Sequence, residues 1–197
     1  MKYVVFRHGQ TEGNAKKMWV GQTTDIELNE NGVNQAHALA EKLKDIKLDA
    51  VFSSSLQRSL KTAEIVTSAQ PENVPIFAED DLREGNCGVA EKLSIAEARE
   101  RWPEIARSWQ IFKKENFSVR FPEGESIGEM SERVFAVLDR ISENDALKTV
   151  GISVHGGVMG MIFATLGLEH PIIPNCSYFI LEGGAKQGYR MIGGLCG

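Results

Sequence analysis

The chain has 197 residues, 42% hydrophobic and 25% charged, with 22 Lys+Arg against 27 Asp+Glu and a net charge of −5. That balance excludes a disordered chain and fits one domain over 1–197, or one domain with a small cap. An acidic chain without a basic run argues against non-specific binding to nucleic acid or to an anionic membrane, although a few local arginines can still hold a small anion. Tyr3-Val4-Val5-Phe6 is a run of β-branched and aromatic residues, the pattern of a strand buried on both faces. A polar, glycine-punctuated loop is expected from Gly9 to about Asn29. Ala36, Leu39, Ala40, Leu43 and Ile46 recur at helical spacing. Asp49 to Ser53 reads as a second strand, Leu56 to Ala69 as a helix, and Pro75-Ile76-Phe77 as a short strand.

Residues 94–115 carry helical patterns broken at Pro103, and with Phe121-Pro122-Glu123-Gly124 they read as a cap inserted at about 90–123. Ile127, Met130, Val134, Leu138 and Ile141 predict an amphipathic helix, with Ser126 as its N-cap and Glu129 as the capping-box partner. Thr149 to Val154 is a strand and Gly157 to Leu166 an apolar helix. Ser177 to Leu181 and Tyr189 to Ile192 form a closing pair of strands. Strands alternating with helices imply α/β layers around a mainly parallel sheet. Gly156 to Leu168 is too short to span a bilayer. Cys87, Cys176 and Cys196 have no CxxC or zinc-ligand spacing, so a reducing, cytoplasmic setting is expected.

Two strands end alike. Val4-Val5-Phe6 runs into Arg7-His8-Gly9, and Val150 to Val154 runs into His155-Gly156-Gly157. These are two of the four histidines in the chain. Ligands of open α/β sheets bind at the carboxyl ends of strands, and the helix after His155 offers free N–H groups to an anion. The second strand ends in Ser53-Ser54-Ser55, and Arg58 follows near the start of its helix. Two arginines and two histidines around one crevice suit a dianion, and phosphate is the natural choice.

Arg7-His8-Gly9-Gln10-Thr11-Glu12-Gly13-Asn14 resembles the signature of the histidine phosphatase superfamily, the phosphoglycerate mutase-like fold. The resemblance continues through Gly21, Asp25, Leu28 and Gly32, then Ser53 to Arg58 with Thr62-Ala63. It takes in Leu82-Arg83-Glu84 with Gly88, Gly124-Glu125-Ser126 and Val154 to Gly157, in the family's order. It implies a three-layer α/β/α sandwich with a mainly parallel central sheet and a small helical cap. It also implies that His8 is the nucleophile that becomes phosphorylated and Glu84 the proton donor. Arg7, Arg58 and His155 would bind the phosphoryl oxygens. Asn14, the Gly156 N–H, Gly21 and Gln22 would complete the phosphate and substrate site.

These residue types suit a phosphomonoester hydrolase of the histidine acid phosphatase type. A neutral His8 splits hydrolysis into two easier steps through a phosphohistidine. Arg7 and Arg58 disfavour its imidazolium and stabilise the charge spread over the transferring phosphoryl group. His155 serves best protonated, which a bound phosphate favours. A dianion beside Glu84 likewise favours the carboxyl form that donates a proton, and the resulting carboxylate then accepts one from water. No metal or cofactor is required by this scheme. The expected partner is a small phosphorylated metabolite, and the chain is expected as a monomer or a homodimer paired through its late strands.

The sequence departs from the family pattern at several places. Ala90 and Lys92 replace an aromatic residue and a glycine after the acid, which points to unusual substrate choice. Gly13 stands where an aromatic residue is frequent, which suggests a wider rim. Val20 and Cys87 replace the Ser/Thr and Tyr of mutases, and Arg99 and Arg101 are not the adjacent arginine pair that grips a carboxylate. These differences place a phosphatase ahead of a mutase, with a silent phospho-ligand-binding module as a third reading. Trp102, Trp109, Phe112, Phe117 and Phe121 are expected mainly to anchor the cap, with one or two walling the leaving-group site. Lys113-Lys114 reads as a solvated face, and His37 and His170 as outside the site.

Overall fold

A computed structural model describes residues 1–169 and 171–197; His170 lies outside the described residues. Strand β1 (Lys2–Arg7) runs parallel to β4 (Thr149–Val154) on one side and antiparallel to β5 (Tyr178–Gly184) on the other. Strand β2 (Ala50–Ser54) lies beyond β4, and β3 (Ile76–Glu79) lies beyond β2, both parallel. Strand β6 (Gly188–Cys196) closes the opposite edge antiparallel to β5, and it is longer than the Tyr189 to Ile192 pattern predicts. The order is β3-β2-β4-β1-β5-β6. The four parallel strands therefore deliver their carboxyl ends to one edge, as the mainly parallel α/β reading requires.

The apolar run of β1 is explained by cores on both faces. Tyr3 and Val5 enter a cluster with α6 (Ile127–Ser142) and α7 (Gly156–Thr165). Val4 and Phe6 enter a second cluster with α2 (Glu30–Leu43) and α3 (Gln57–Ser68). All four side chains are fully buried. Each such burial contributes about 1.5–3 kcal/mol. Ser126 caps α6 with Glu129 as its reciprocal partner, as the sequence predicts.

Two local readings change. The segment from Gly9 to Asn29 is not loop throughout, because Glu12–Ala15 forms a one-turn helix, α1. Its box is closed by Asn14 in place of the usual Glu or Gln, with Thr11 as cap. Helix α2 stops at Leu43, so Ile46 packs on the second core from the following turn. Between β3 and α6 lie α4 (Ile95–Arg101) and α5 (Pro103–Ser108), broken at the expected proline. Their segment does not form a separate core. Trp19, Trp109, Phe112 and Phe121 share the buried cluster of α6 and α7. Phe121 is the centre, with ring centroids of Trp19, Trp102 and Trp109 at 5.2, 5.9 and 6.1 Å.

Candidate active site

The carboxyl ends of β1, β2 and β4 place His8, Ser54 and His155 together. The two imidazoles meet edge to face, with centroids 5.1 Å apart, and both are buried. His8 Nδ1 lies 2.7 Å from the Gly9 carbonyl. A carbonyl only accepts, so Nδ1 carries the hydrogen and the Nε2 lone pair is left for chemistry. Gly9 is fixed in turn: its N–H donates to Thr62 Oγ1 at 3.1 Å, and a Cβ there would collide with the Gly32 backbone.

His155 Nε2 lies 2.8 Å from Ser54 Oγ. That oxygen also accepts from the Leu56 N–H at 3.3 Å and keeps one hydrogen that it can donate to Nε2. In the tautomer that accepts this hydrogen the imidazole proton sits on Nδ1, a buried atom with no hydrogen-bond partner among the described residues. A buried donor without a partner costs about 1–3 kcal/mol, so its retention points to an acceptor that arrives with a ligand.

Arg58, on the first turn of α3, is 1% exposed. Its guanidinium donates to the carbonyls of Thr24 at 3.0 Å and Gly21 at 3.1 Å. Arg7 donates to the Ile173 carbonyl at 2.7 Å. The Nε atoms of both arginines are buried without hydrogen-bond partners among the described residues. Burial depresses both guanidinium pKa values, opposed mainly by the Glu84 charge. Burial likewise pushes His8 and His155 well below the ordinary imidazole value. Arg58 then Arg7 add to this for His8, and Arg58, His8 and Arg7 for His155. The arginine effect expected from sequence is thus present but second to desolvation. His155 is favoured neutral here, so the protonated form must be induced by an anion.

A cavity of about 410 Å³ reaches this cluster at Arg7, while His8, Arg58 and His155 lie behind its lining. Arg7, Asn14, Glu84, Gly156, Gly157 and Asn175 are among the residues that line it. Asn14 uses Oδ1 to accept from the Thr11 N–H and from Asn175 Nδ2, which leaves its own Nδ2 for a ligand. Glu84 accepts from the Gly157 N–H at 2.9 Å and the Gly85 N–H at 2.9 Å. A Cβ on Gly157 would run into that carboxylate, and one on Gly156 would lie 3.2 Å from Arg7 Nε. The lining also includes Met18, Trp19, Val20, Trp109 and Phe112, together with the polar Lys17 and Gln110. Trp109 and Phe112 therefore both anchor the segment and wall the cavity.

Gly21 and Gln22 are not in the cavity lining. Gly21 supports Arg58 through its carbonyl, and Gln22 donates to Glu125 from its side chain at 3.0 Å and to Glu91 from its N–H at 2.9 Å. The rim is not widened at Gly13, because Val20 and Ile26 fill the space that a side chain there would take. His37 lies on an exposed face of α2, away from the site. Sequence reasoning missed Asn175, which donates to the His8 carbonyl at 3.0 Å across 167 positions. It assigned no role to Ser54, although the serine-rich strand end was visible. Among the described residues no three His, Cys, Asp or Glu side chains converge as a metal site, and no helix is long and apolar enough to cross a membrane.

Known proteins are similar to this chain in sequence and fold. Phosphoglycerate mutase-like protein 4 of Arabidopsis thaliana is 33% identical over 162 residues, covering 81% of this chain and 68% of that protein. The mycobacterial glucosyl-3-phosphoglycerate phosphatase, solved with VO3, is 26% identical with a TM-score of 0.82, covering 98% of this chain and 97% of its own. Phosphoglycerate mutase from Bacillus anthracis is alike in fold, with a TM-score of 0.87 at 23% identity over 98% of this chain and 92% of its own. The histidine phosphatase superfamily (branch 1) matches residues 3–189, so nearly the whole chain is accounted for, and the protein belongs to that superfamily.

Proposed function

We propose that the protein is a metal-independent phosphomonoesterase that hydrolyses a small phosphorylated metabolite through a phosphohistidine on His8. The observation that carries this reading is the His8 ring itself. It is favoured neutral, its Nδ1–H is held by the Gly9 carbonyl, and it sits beside His155, Arg58 and Arg7, whose buried Nδ1 and Nε atoms have no hydrogen-bond partner among the described residues. Nε2 attacks phosphorus and the ester P–O bond breaks. The bond pair leaves with the alcohol oxygen, which takes a proton from Glu84. The phosphorylated ring keeps Nδ1–H, and the Gly9 carbonyl stabilises its positive charge. Arg7, Arg58, Asn14 and His155 hold the equatorial oxygens, where preorganised donors act most strongly. Water then attacks phosphorus, Glu84 takes its proton, the P–N bond breaks, and inorganic phosphate leaves.

Hydrolysis is favoured over mutase chemistry, which must grip a second charged group while the substrate turns over: the cavity lining carries Val20 and Cys87 and lacks Arg99 and Arg101, with Lys17 as its one cation besides Arg7 among the described residues. Phosphate release from a panel of small phosphomonoesters, with excess chelator, tests the reading. Turnover that resists the chelator and vanishes in His8→Ala is expected, with radiolabelled phosphate trapped on the intact enzyme. Activity that persists in His8→Ala would assign the nucleophile elsewhere. Phosphate migration between hydroxyls with little free phosphate would make the protein a mutase.

A further inference from the structure

Arg133, on α6, lies outside the reacting groups but holds the segment that carries Glu84. Its Nε and Nη2 bind the two oxygens of Glu125 at 2.9 and 2.6 Å. Its Nη1 donates to the carbonyls of Asp81 at 2.7 Å and Arg83 at 2.8 Å, and Nη2 also donates to the Glu84 carbonyl at 3.1 Å. Glu125 Oε1 further accepts from the Asn86 N–H at 2.8 Å and from Gln22 Nε2 at 3.0 Å. The Arg133 and Glu125 side chains are 16% and 15% exposed. One guanidinium thus grips the backbone on the N-terminal side of Glu84, and its carboxylate partner grips the residue two positions beyond. The same carboxylate reaches Gln22, next to the Gly21 carbonyl that orients Arg58.

We infer that Arg133 and Glu125 are positioning residues: a clamp that sets where the Glu84 carboxyl stands relative to the phosphate-binding arginines. A rigid planar fork with five donors does this where a lysine would not. The geometry matters because proton donation contributes about 100- to 10,000-fold, and a misplacement of roughly 1 Å is enough to lose about 100-fold. The inference rests on Glu84 being the proton donor.

The test uses a matched pair of esters. The 4-nitrophenolate of 4-nitrophenyl phosphate departs without a proton, whereas the alkoxide of benzyl phosphate needs one. Both carry one ring for the apolar residues of the lining. The readout is kcat/KM, which reports steps through leaving-group departure. Arg133→Gln and Glu84→Gln are each expected to lower kcat/KM on benzyl phosphate by about 100-fold, and on 4-nitrophenyl phosphate by less than about 5-fold. Glu125→Gln, which keeps the side-chain shape, is expected to shift the ratio in the same direction. Arg133→Lys is expected to recover only part. If Glu84→Gln discriminates between the esters while Arg133→Gln and Glu125→Gln lower both equally, or neither, the clamp is overturned and the acid assignment stands. If Glu84→Gln itself does not discriminate, the acid assignment falls and the clamp falls with it.

Discussion

Among the described residues the His155 ring makes one hydrogen bond, between Nε2 and Ser54 Oγ, and that bond orients the ring with Nδ1 left without a partner. Removing it in Ser54→Ala leaves the imidazole free to turn, so that neither its neutral nor its anion-induced protonated form is held with a hydrogen toward a phosphate oxygen. One hydrogen bond to an anion is worth about 1.5–3 kcal/mol, so inorganic phosphate is expected to bind roughly 10- to 100-fold more weakly in this variant. Titration calorimetry would measure it, and unchanged affinity would show that the ring is held without Ser54. Residues of this kind differ in how far sequence reveals them. Arg7, His8, His155 and Arg58 stand at strand ends and a helix start, so local pattern places them near one crevice. Asn175 and Arg133 have no local signature. Their meaning lies in contacts across 167 and about 50 positions, which only the fold creates.

The turn from Gly88 to Lys92 shows an element built with an unfavourable residue. Lys92 adopts φ +71°, the left-handed region, at the position where the family pattern has glycine. The conformation persists because its N–H donates to the Trp19 carbonyl at 3.0 Å while the neighbouring Glu91 carboxylate holds the N–H groups of Gln22 and Thr23. Left-handed backbone costs a non-glycine residue about 1–2 kcal/mol, and glycine costs about 0.5–1 kcal/mol in chain entropy. Lys92→Gly is therefore expected to stabilise by no more than about 1.5 kcal/mol, whereas Lys92→Val should destabilise by at least about 1 kcal/mol. Urea unfolding of both variants checks this, and equal losses would mean that the lysine side chain itself holds the turn. Long periodic elements such as α6 were legible because cap and apolar stripe agree. Helix α1 was not, since one turn has no periodicity and its box closes with Asn14. Nor was the rim at Gly13, because the residues that fill it, Val20 and Ile26, follow only after the loop has folded back.

At the scale of the whole molecule, a mainly parallel sheet gathers its charged strand ends in one desolvated place, and this couples the site to folding. His8 and His155 both have folded pKa values well below the ordinary value near 6.5 that they regain on unfolding. Below that value the unfolded chain takes up a proton at each ring and the native protein does not. Stability is therefore full above about pH 6.5 and is lost as pH falls toward the depressed native values. Each ring contributes a slope of up to about 1.4 kcal/mol per pH unit. Between about pH 6.5 and 5 the carboxylates with lowered values, such as Asp49 and Glu129, are still ionised in both states, so the histidines dominate the window. Denaturant midpoints measured across that range should fall steeply in the intact protein and about half as steeply in His155→Asn, which leaves one buried ring. A flat profile in the intact protein would mean that the rings protonate in the native state, and the neutral nucleophile would then have to be abandoned. The same desolvation that keeps His8 neutral, as the proposed nucleophile requires, thus costs the protein stability in acid, and both effects come from where β1 and β4 end.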